Sequence, residues 1–469
     1  MRSVVAVVAL VACVHAGLWT LFQREEAGAK IVGPLSSLSY NPYGRTQDPE
    51  NGDRATAEQI RSDLRLLSPY TRAIRTYSST QGVEQVPGIA AEFGLKVTVG
   101  IWLGNEKDKN EDGSVNKNQQ KNIEKNKREI KQAIELAKRH RNVNAIVVGN
   151  ETILRGDKTV DELVEIIQEV KRQSPVPVTT GETHDRWLPD RTDPIADEIP
   201  KLAAAVDYIA VHILPYWDKY PASQAVDKTI QRYEDIRRAY PLKRIVIAEF
   251  GWPSAGYNRH AAIPGRIEQA QIIRDFIARA NARGIDYNIV EAIDQPWKTS
   301  EGSVGAYWGL FDASRQVKFA WSGPVSDPEH WKIGGFAVLL GLLLSLAAVA
   351  KPRTTIRETI VFAAATNAIG AWFAIVFAFW NTHYLVWGAA FALGFGVLLL
   401  VPLVLIALAR IEEIAAILFG RAPQRLIGPN TPLAEGFYPK VSIHIPAYRE
   451  PPEMLKQTLD GVAHLEYPN

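Results

Sequence analysis

The sequence predicts an α/β fold, a parallel (β/α)8 barrel of the TIM type, and three observations carry that expectation. From about residue 35 to 294, short apolar runs alternate with amphipathic stretches of 3.6-residue period. Eight such runs with seven connections over roughly 260 residues match the size and strand count of this barrel. The fourth and seventh runs, AIVVGNE and RIVIAEF, carry Glu151 and Glu249 at their C-terminal ends. A doubly wound sheet is the rival architecture, but it needs fewer strands and usually a glycine-rich nucleotide turn, which the sequence lacks.

The chain opens with residues 3–22, SVVAVVALVACVHAGLWTLF, a stretch long enough to cross a bilayer. Val14-His15-Ala16 loosely fits a cleavage site, and Leu10-Val11-Ala12-Cys13 resembles a lipobox. Apolar character continues past both to Phe22, which favours an uncleaved anchor over residues 1–23. The barrel is expected over 30–325. Its strands fall at 35–40, 73–77, 96–103, 145–148, 176–180, 208–213, 244–248 and 287–292. Helices are expected at 56–67, 118–139, 160–172, 226–238 and 266–283, with Thr56 and Gln59 as a capping box. The charged segment 104–131 reads as a solvated loop running into an exposed helix face.

Three further apolar spans follow at 333–350, 359–380 and 384–409. Lys351, Arg353 and Arg357 separate the first two, and only Asn381, Thr382 and His383 separate the second from the third. Arg410, Arg421 and Arg425 come after the third. The positive-inside rule then puts 351–357 and everything beyond 410 in the cytoplasm, with the barrel outside. Residues 410–439 read as an interfacial linker. The tail 440–469, with VSIHIPAYREPPEMLKQTL, reads as a strand, a breaker and a helix, and is expected to be the truncated start of another domain.

Composition narrows the chemistry. A formal charge of +2 gives no nucleic-acid footprint. The single cysteine, Cys13, excludes an intramolecular disulfide, and no Cys/His cluster has metal-ligand spacing, so no metal is expected in the barrel. Twelve tryptophans beside two methionines suit sugar-stacking surfaces as well as core and membrane-belt positions.

At the C-terminal face of a barrel, strand-end residues are the catalytic candidates. Strands four and seven lie across the mouth from each other, so Glu151 and Glu249 can reach one bond. A glycosidic bond needs such a pair: Glu151 as acid/base, its pKa raised by its neighbour's charge and a dry pocket, and Glu249 as nucleophile. Asn150 beside the acid is a candidate for the sugar 2-OH. Tyr77 and Arg75 end strand two and are candidates for the same sugar or for orienting Glu249. Trp102, Trp217, Trp252 and Trp297 fall at or just after strand ends, where a pyranose face can stack. Glu291 and Asp294 on strand eight are expected to hydrogen-bond substrate or to be polar groups of the barrel. His184 and His212 would be ligands only with a third partner, which no spacing offers.

VGNE at 148–151 and AEFGWPS at 248–254 resemble the acid/base and nucleophile motifs of glycoside hydrolase family 17, retaining β-1,3-glucanases and glucanosyltransferases with catalytic acids on strands four and seven. RTYS at 75–78, HILPYW at 212–217 and YWGLFD at 307–312 extend the likeness over the barrel. Plant members usually carry Asn and Tyr where this chain has His212 and Leu214. The resemblance therefore leaves Tyr216 as the candidate to hydrogen-bond the nucleophile, and His212 as a substrate contact. The tail is similar to the first strand and helix of family 2 glycosyltransferases, which implies that Pro446, Ala447, Tyr448, Arg449 and Glu450 lie near a uridine. A complete transferase of that family would need a divalent metal and a nucleotide sugar, UDP-glucose.

Together these resemblances imply a bacterial β-glucan synthase with a fused family 17 domain: a multi-pass protein of the inner membrane, its barrel periplasmic and its tail cytoplasmic. The expected partners are a β-glucan polysaccharide or oligosaccharide and the lipid bilayer, and the barrel needs no cofactor. The leading function is cleavage or remodelling of β-1,3-glucan through a covalent glycosyl-enzyme. The alternatives are a non-catalytic glucan-binding or guiding domain, or a main activity in a nucleotide-sugar-dependent synthase continuing beyond the tail.

Overall fold

The computed structural model describes residues 2–107, 115–350, 354–421 and 440–466. Part of the charged loop (108–114), the loop cations Lys351 and Arg353, most of the expected linker (422–439) and residues 467–469 lie outside these. Eight parallel strands form a closed barrel in sequence order: β1 (Leu38–Ser39), β2 (Ala73–Arg75), β3 (Lys96–Ile101), β4 (Val143–Asn150), β5 (Val178–Thr183), β6 (Ile209–His212), β7 (Ile245–Phe250) and β8 (Asp286–Ile289). β1 closes the ring by pairing with both β2 and β8.

Alternation along the strands builds two layers. Ile146 and Val148, Ile209 and Val211, and Ile245 and Ile247 belong to the large core shared with the helices. Their sequence neighbours Ala145, Tyr208, Ala210 and Ala248, three alanines and a tyrosine, form a separate cluster. Ile247 is fully buried, and its truncation to alanine would cost about 2–5 kcal/mol.

The helices that cover the barrel include α2 (Ala57–Leu67), α3 (Val86–Glu92), α4 (Gln119–Arg139), α5 (Val160–Gln173), α6 (His184–Trp187), α7 (Ile199–Ala205), α8 (Ala222–Ala239) and α9 (Arg266–Arg283). The short α3 and α7 were not expected from periodicity, because seven residues span barely two helical turns. Thr159 and Glu162 form a full capping box at the start of α5. At α2 only half of the expected box forms. Thr56 accepts from the Gln59 amide at 3.2 Å, but the Gln59 side chain donates instead to Pro42 O and to Gln47.

Among the described residues, four helices are long and apolar enough to cross a membrane: the N-terminal α1 (Arg2–Leu21), α10 (His330–Ala350), α11 (Ile356–Thr382) and α12 (Trp387–Phe419). α10 and α11 touch where glycine lets the backbones approach; a Cβ on Gly370 would lie 2.6 Å from Gly341 N. Asn367 is buried there and bonds His15 of α1 at 2.8 Å, a polar contact between helices of the kind that glues such bundles. The expected strand at the start of the tail does not form. Residues 440–451 are irregular and, among the described tail residues, only α13 (Pro452–Ala463) is helical; no described strand pairs with 440–451 to take its backbone hydrogen bonds.

Candidate active site

Simple alternation would turn Glu249 outward with Ile245 and Ile247. Instead, register shifts interrupt β7 on both sides, between Val211 and His212 of the β6 pairing and between Ile247 and Phe250 of the β8 pairing. The shift sets Glu249 opposite His212 and aims it into the mouth, the usual consequence of a bulge beside an active site. β4 behaves alike. Its pairing with β5 shifts between Val147 and Asn150, and Gly149 takes φ +77°. A Cβ on Gly149 would meet Thr152 Oγ1 at 2.2 Å, so only glycine fits. Glu151 itself has φ 53°, a left-handed conformation costing a side-chain-bearing residue on the order of 1–3 kcal/mol. The Glu151 amide donating to Gly181 O at 2.7 Å helps hold it.

The two carboxylates come together. One side-chain oxygen of Glu151, one of Glu249 and a ring nitrogen of His212 all lie within 4.8 Å of one another. Arg75, at the end of β2 and only 3 % exposed, ties the site across the barrel. Its Nη1 donates to Glu249 Oε1 at 3.0 Å and to Ala248 O at 2.7 Å, and its Nη2 donates to Asn150 Oδ1 at 2.7 Å. This charge-assisted bond fixes the orientation of the Glu249 carboxyl group. His212 Nδ1 lies 2.9 Å from Glu151 Oε1, while Nε2 lies 3.4 Å from Arg75 Nη2 and 3.5 Å from Glu249 Oε1. Gly181 makes this possible: a Cβ there would sit 2.6 Å from His212 Nε2 and 3.1 Å from Arg75 Nη2.

Electrostatics correct one expectation. Burial does push the Glu151 pKa upward, but the hydrogen bond and charge of His212, with Arg155 and Arg75 behind it, outweigh burial and hold it below the usual carboxylate range. Burial raises other carboxyls instead: Glu291, Asp294 to about 6, Glu301 to about 7, and most of all Glu182 on β5. Burial, with the Glu151 charge adding to it, pushes it up to about 8 despite the Ile153 amide donating to it at 2.9 Å.

The substrate-contact expectations divide by burial. Asn150, Tyr77, Trp102, Trp217 and Trp297 are partly exposed around the mouth. Trp102 has Arg155 over its ring at 4.5 Å, and Trp217 stacks on Trp308 with centroids 6.0 Å apart. Of its two expected roles Arg75 takes the second, orienting Glu249, and His212, expected as a substrate contact, is buried and faces the two carboxylates. Tyr216 and Trp252 are corrected as well. Both are fully buried; Tyr216 Oη donates to Tyr257 O at 2.7 Å and not to Glu249, and Trp252 Nε1 donates to Ile263 O at 3.3 Å. Glu291 is 1 % exposed and takes Asn41 Nδ2 at 2.5 Å and Lys298 Nζ at 2.7 Å, which makes it a structural acid behind the cleft. His184 pairs with Asp218 at 2.9 Å.

Asn41, Lys298, Arg155 and Glu182 were not singled out in the sequence. Of these only Glu182 carried a readable signal, an acid at the end of the fifth strand-like run. The Glu151–His212–Glu249 group has the donor types of a metal site, but the Arg75 guanidinium already bonds Glu249 and lies against His212 Nε2. A divalent cation would face that fixed positive charge, and the donor set fits proton transfer and nucleophilic attack instead.

An eight-stranded barrel with paired carboxylates at the ends of strands four and seven defines a glycoside-hydrolase barrel. The model of the BtgE/BtgC glycoside hydrolase domain matches residues 37–309, and the chain belongs to that family. It is 28% identical over 312 residues to the "Probable glucan endo-1,3-beta-glucosidase btgC" of Aspergillus fumigatus, covering 60% of this chain but 42% of that relative. It is 27% identical over 305 residues to a glucan 1,3-beta-glucosidase of Arthroderma benhamiae, covering 61% of this chain and 91% of the relative. Among solved structures, an endo-laminarinase from Formosa shares the fold at 20% identity and TM-score 0.50, covering 60% of this chain and 83% of its own. A family 17 β-1,3-glucanosyltransferase from Rhizomucor miehei is 21% identical with TM-score 0.49, covering 61% and 95%. The expected bacterial inner-membrane address, with a periplasmic barrel and a cytoplasmic tail, is overturned: these curated relatives are fungal glucan enzymes and point to a eukaryotic origin.

Proposed function

We propose that the chain is a membrane-tethered, retaining β-1,3-glucan glycosidase and glucanosyltransferase. The observation that carries this reading is the pair of carboxylate oxygens, Glu151 and Glu249, within 4.8 Å across the barrel mouth. Carboxyl groups about 5–5.5 Å apart leave no room for a water between the second carboxylate and the anomeric carbon, so that carboxylate attacks directly. Glu249 forms a bond to the anomeric carbon while the glycosidic C–O bond breaks and Glu151 gives its proton to the departing oxygen. In the second step Glu151 takes a proton from water or from a hydroxyl of another glucan, whose oxygen displaces Glu249. Arg75, donating to Glu249 Oε1, keeps that carboxyl group aimed at the anomeric carbon. The names of the family relatives direct the substrate class to β-1,3-glucan, and the four apolar helices support the tether.

A second reading attaches this activity to a β-glucan synthase, with the barrel remodelling or guiding its product. Its support is the resemblance of the PAYRE segment and the helix α13 that follows it. Tyr448, Arg449 and Glu450 are exposed, and among the described tail residues nothing is built around a nucleotide sugar or a divalent cation, so no step is routed through them.

The test uses the full chain in detergent micelles with linear β-1,3-gluco-oligosaccharides, beside Glu249→Gln. Products longer than the substrate establish transfer, and shorter ones alone establish hydrolysis. Unchanged substrate with wild type and variant alike leaves a glucan-binding domain without activity.

A further inference from the structure

The turn between α11 and α12 does not stand free of the barrel. Tyr384 enters a socket assembled from separate barrel segments. Its Oη donates to Asp294 Oδ2 at 2.9 Å and accepts from the Ala313 amide at 2.8 Å. Its own amide donates to Tyr307 Oη at 2.7 Å, and the two tyrosine rings stack with centroids 5.0 Å apart. Arg45 lies over the Tyr384 ring at 5.5 Å. Asp294 is 2 % exposed, and its other oxygen takes Lys318 Nζ and the Gly309 amide, both at 2.8 Å. Directed bonds to a buried charge distinguish this contact from incidental apolar packing.

The socket shares a loop with the cleft. Next to Asp294, Gln295 donates to Asn41 O at 3.1 Å and accepts from Trp297 Nε1 at 2.7 Å. Asn41 and Lys298 both bond Glu291. The other membrane helices join the barrel at the same end. Glu25 and Glu26, just after α1, pair antiparallel with Ser326 and Val325, just before α10. Arg24 also bonds Glu268 in the first turn of α9, the helix that follows the C-terminal end of β7.

We propose that the α11–α12 turn is a docking plug for the catalytic barrel and Tyr384 a positioning residue: filling the Asp294–Tyr307–Ala313 socket orders the loop after β8 and seats the barrel mouth against the bilayer, where the glucan is processed. This rests on the reading of the helices as membrane spans and of the barrel as a glucan enzyme. A glucan chain bound in the mouth then runs along the membrane surface, and the plug side closes one flank of the cleft.

The test uses the full chain in lipid nanodiscs. Tyr384→Ala is expected to raise KM for a β-1,3-gluco-oligosaccharide about tenfold with kcat within about twofold. Tyr384→Phe, which keeps the ring and loses the bond to Asp294, is expected to give about threefold. In a Cys13→Ser background, bimane attached at Ser303→Cys on the mouth loop is expected to be quenched by nitroxide-headgroup lipid more than bimane at Leu242→Cys. Tyr384→Ala should reduce that difference. Unchanged KM together with unchanged quenching overturns the proposal, as does a fall in kcat that tracks a fall in Tm. If wild type is inert on glucan, the functional reading fails, while the quenching still decides the docking.

Discussion

Replacing His212 by alanine removes the hydrogen bond that holds Glu151 ionised, and the consequence has a definite sign. Glu151 must carry a proton to act as the acid, so a pKa below the carboxylate range places the alkaline limb of kcat/KM at acidic pH. The groups that set it are His212 on β6 at 2.9 Å, Arg155 beyond β4 and Arg75 on β2, with the buried Glu182 of β5 nearby. A hydrogen bond to a charged group contributes about 1.5–3 kcal/mol. Its loss raises the Glu151 pKa, so on the alkaline limb the protonated fraction, and with it kcat/KM, should rise by about tenfold or more. Water entering the space left by the ring favours the lower figure, and the alkaline limb of His212→Ala should move to higher pH. His212→Asn, whose amide nitrogen can occupy the position of Nδ1, should move it less. The assay is kcat/KM against pH with a β-1,3-gluco-oligosaccharide, repeated with an aryl glucoside whose good leaving group needs no acid and whose alkaline limb should therefore flatten. A limb that stays in place or moves down in His212→Ala would refute the assignment of Glu151 as an acid governed by His212.

Three other outcomes follow from the same geometry. Glu182 has its pKa raised from 4.5 to about 8, so its contribution to stability is full below the unfolded value and is lost as pH rises through 8; the loss is on the order of 4 kcal/mol, and Glu182→Gln should flatten the fall in Tm between pH 5 and 8. Trp252→Ala should cost about 3–5 kcal/mol in denaturant unfolding, whereas Trp217→Ala, at the partly exposed rim, should act mainly on KM. Gly181→Ala drives a methyl group to within 2.6 Å of His212 Nε2, so it should lower kcat at least tenfold in steady-state assays while leaving the far-UV circular dichroism unchanged.

Sequence pattern reached the barrel and its two acids because both rest on local signals. An apolar run ended by a breaker marks a strand end, and a barrel brings the ends of strands four and seven face to face. Pattern could not reach the devices that make the acids a pair. The bulges at Val147/Asn150 and Val211/His212 break the period-two rule by which a strand is read, and strict alternation would have pointed Glu249 away from the mouth. Arg75 and His212 stand out in the sequence as strand-end polar residues, but their role depends on what lies across the barrel, and that is fixed by the open space at Gly181. Trp252 and Tyr216 sit at strand ends too; whether an aromatic faces sugar or core is decided by the residues that cover it, here Tyr257 and Ile263 from the loop after β7. The same dependence on distant partners governs the tail, where a strand-like sequence stays irregular with no described strand beside it. It also governs Tyr384, which reads as an interfacial aromatic until Asp294 is seen to accept its hydroxyl proton. Local grammar thus locates the reacting groups, while their protonation and aim come from contacts between residues far apart in the chain.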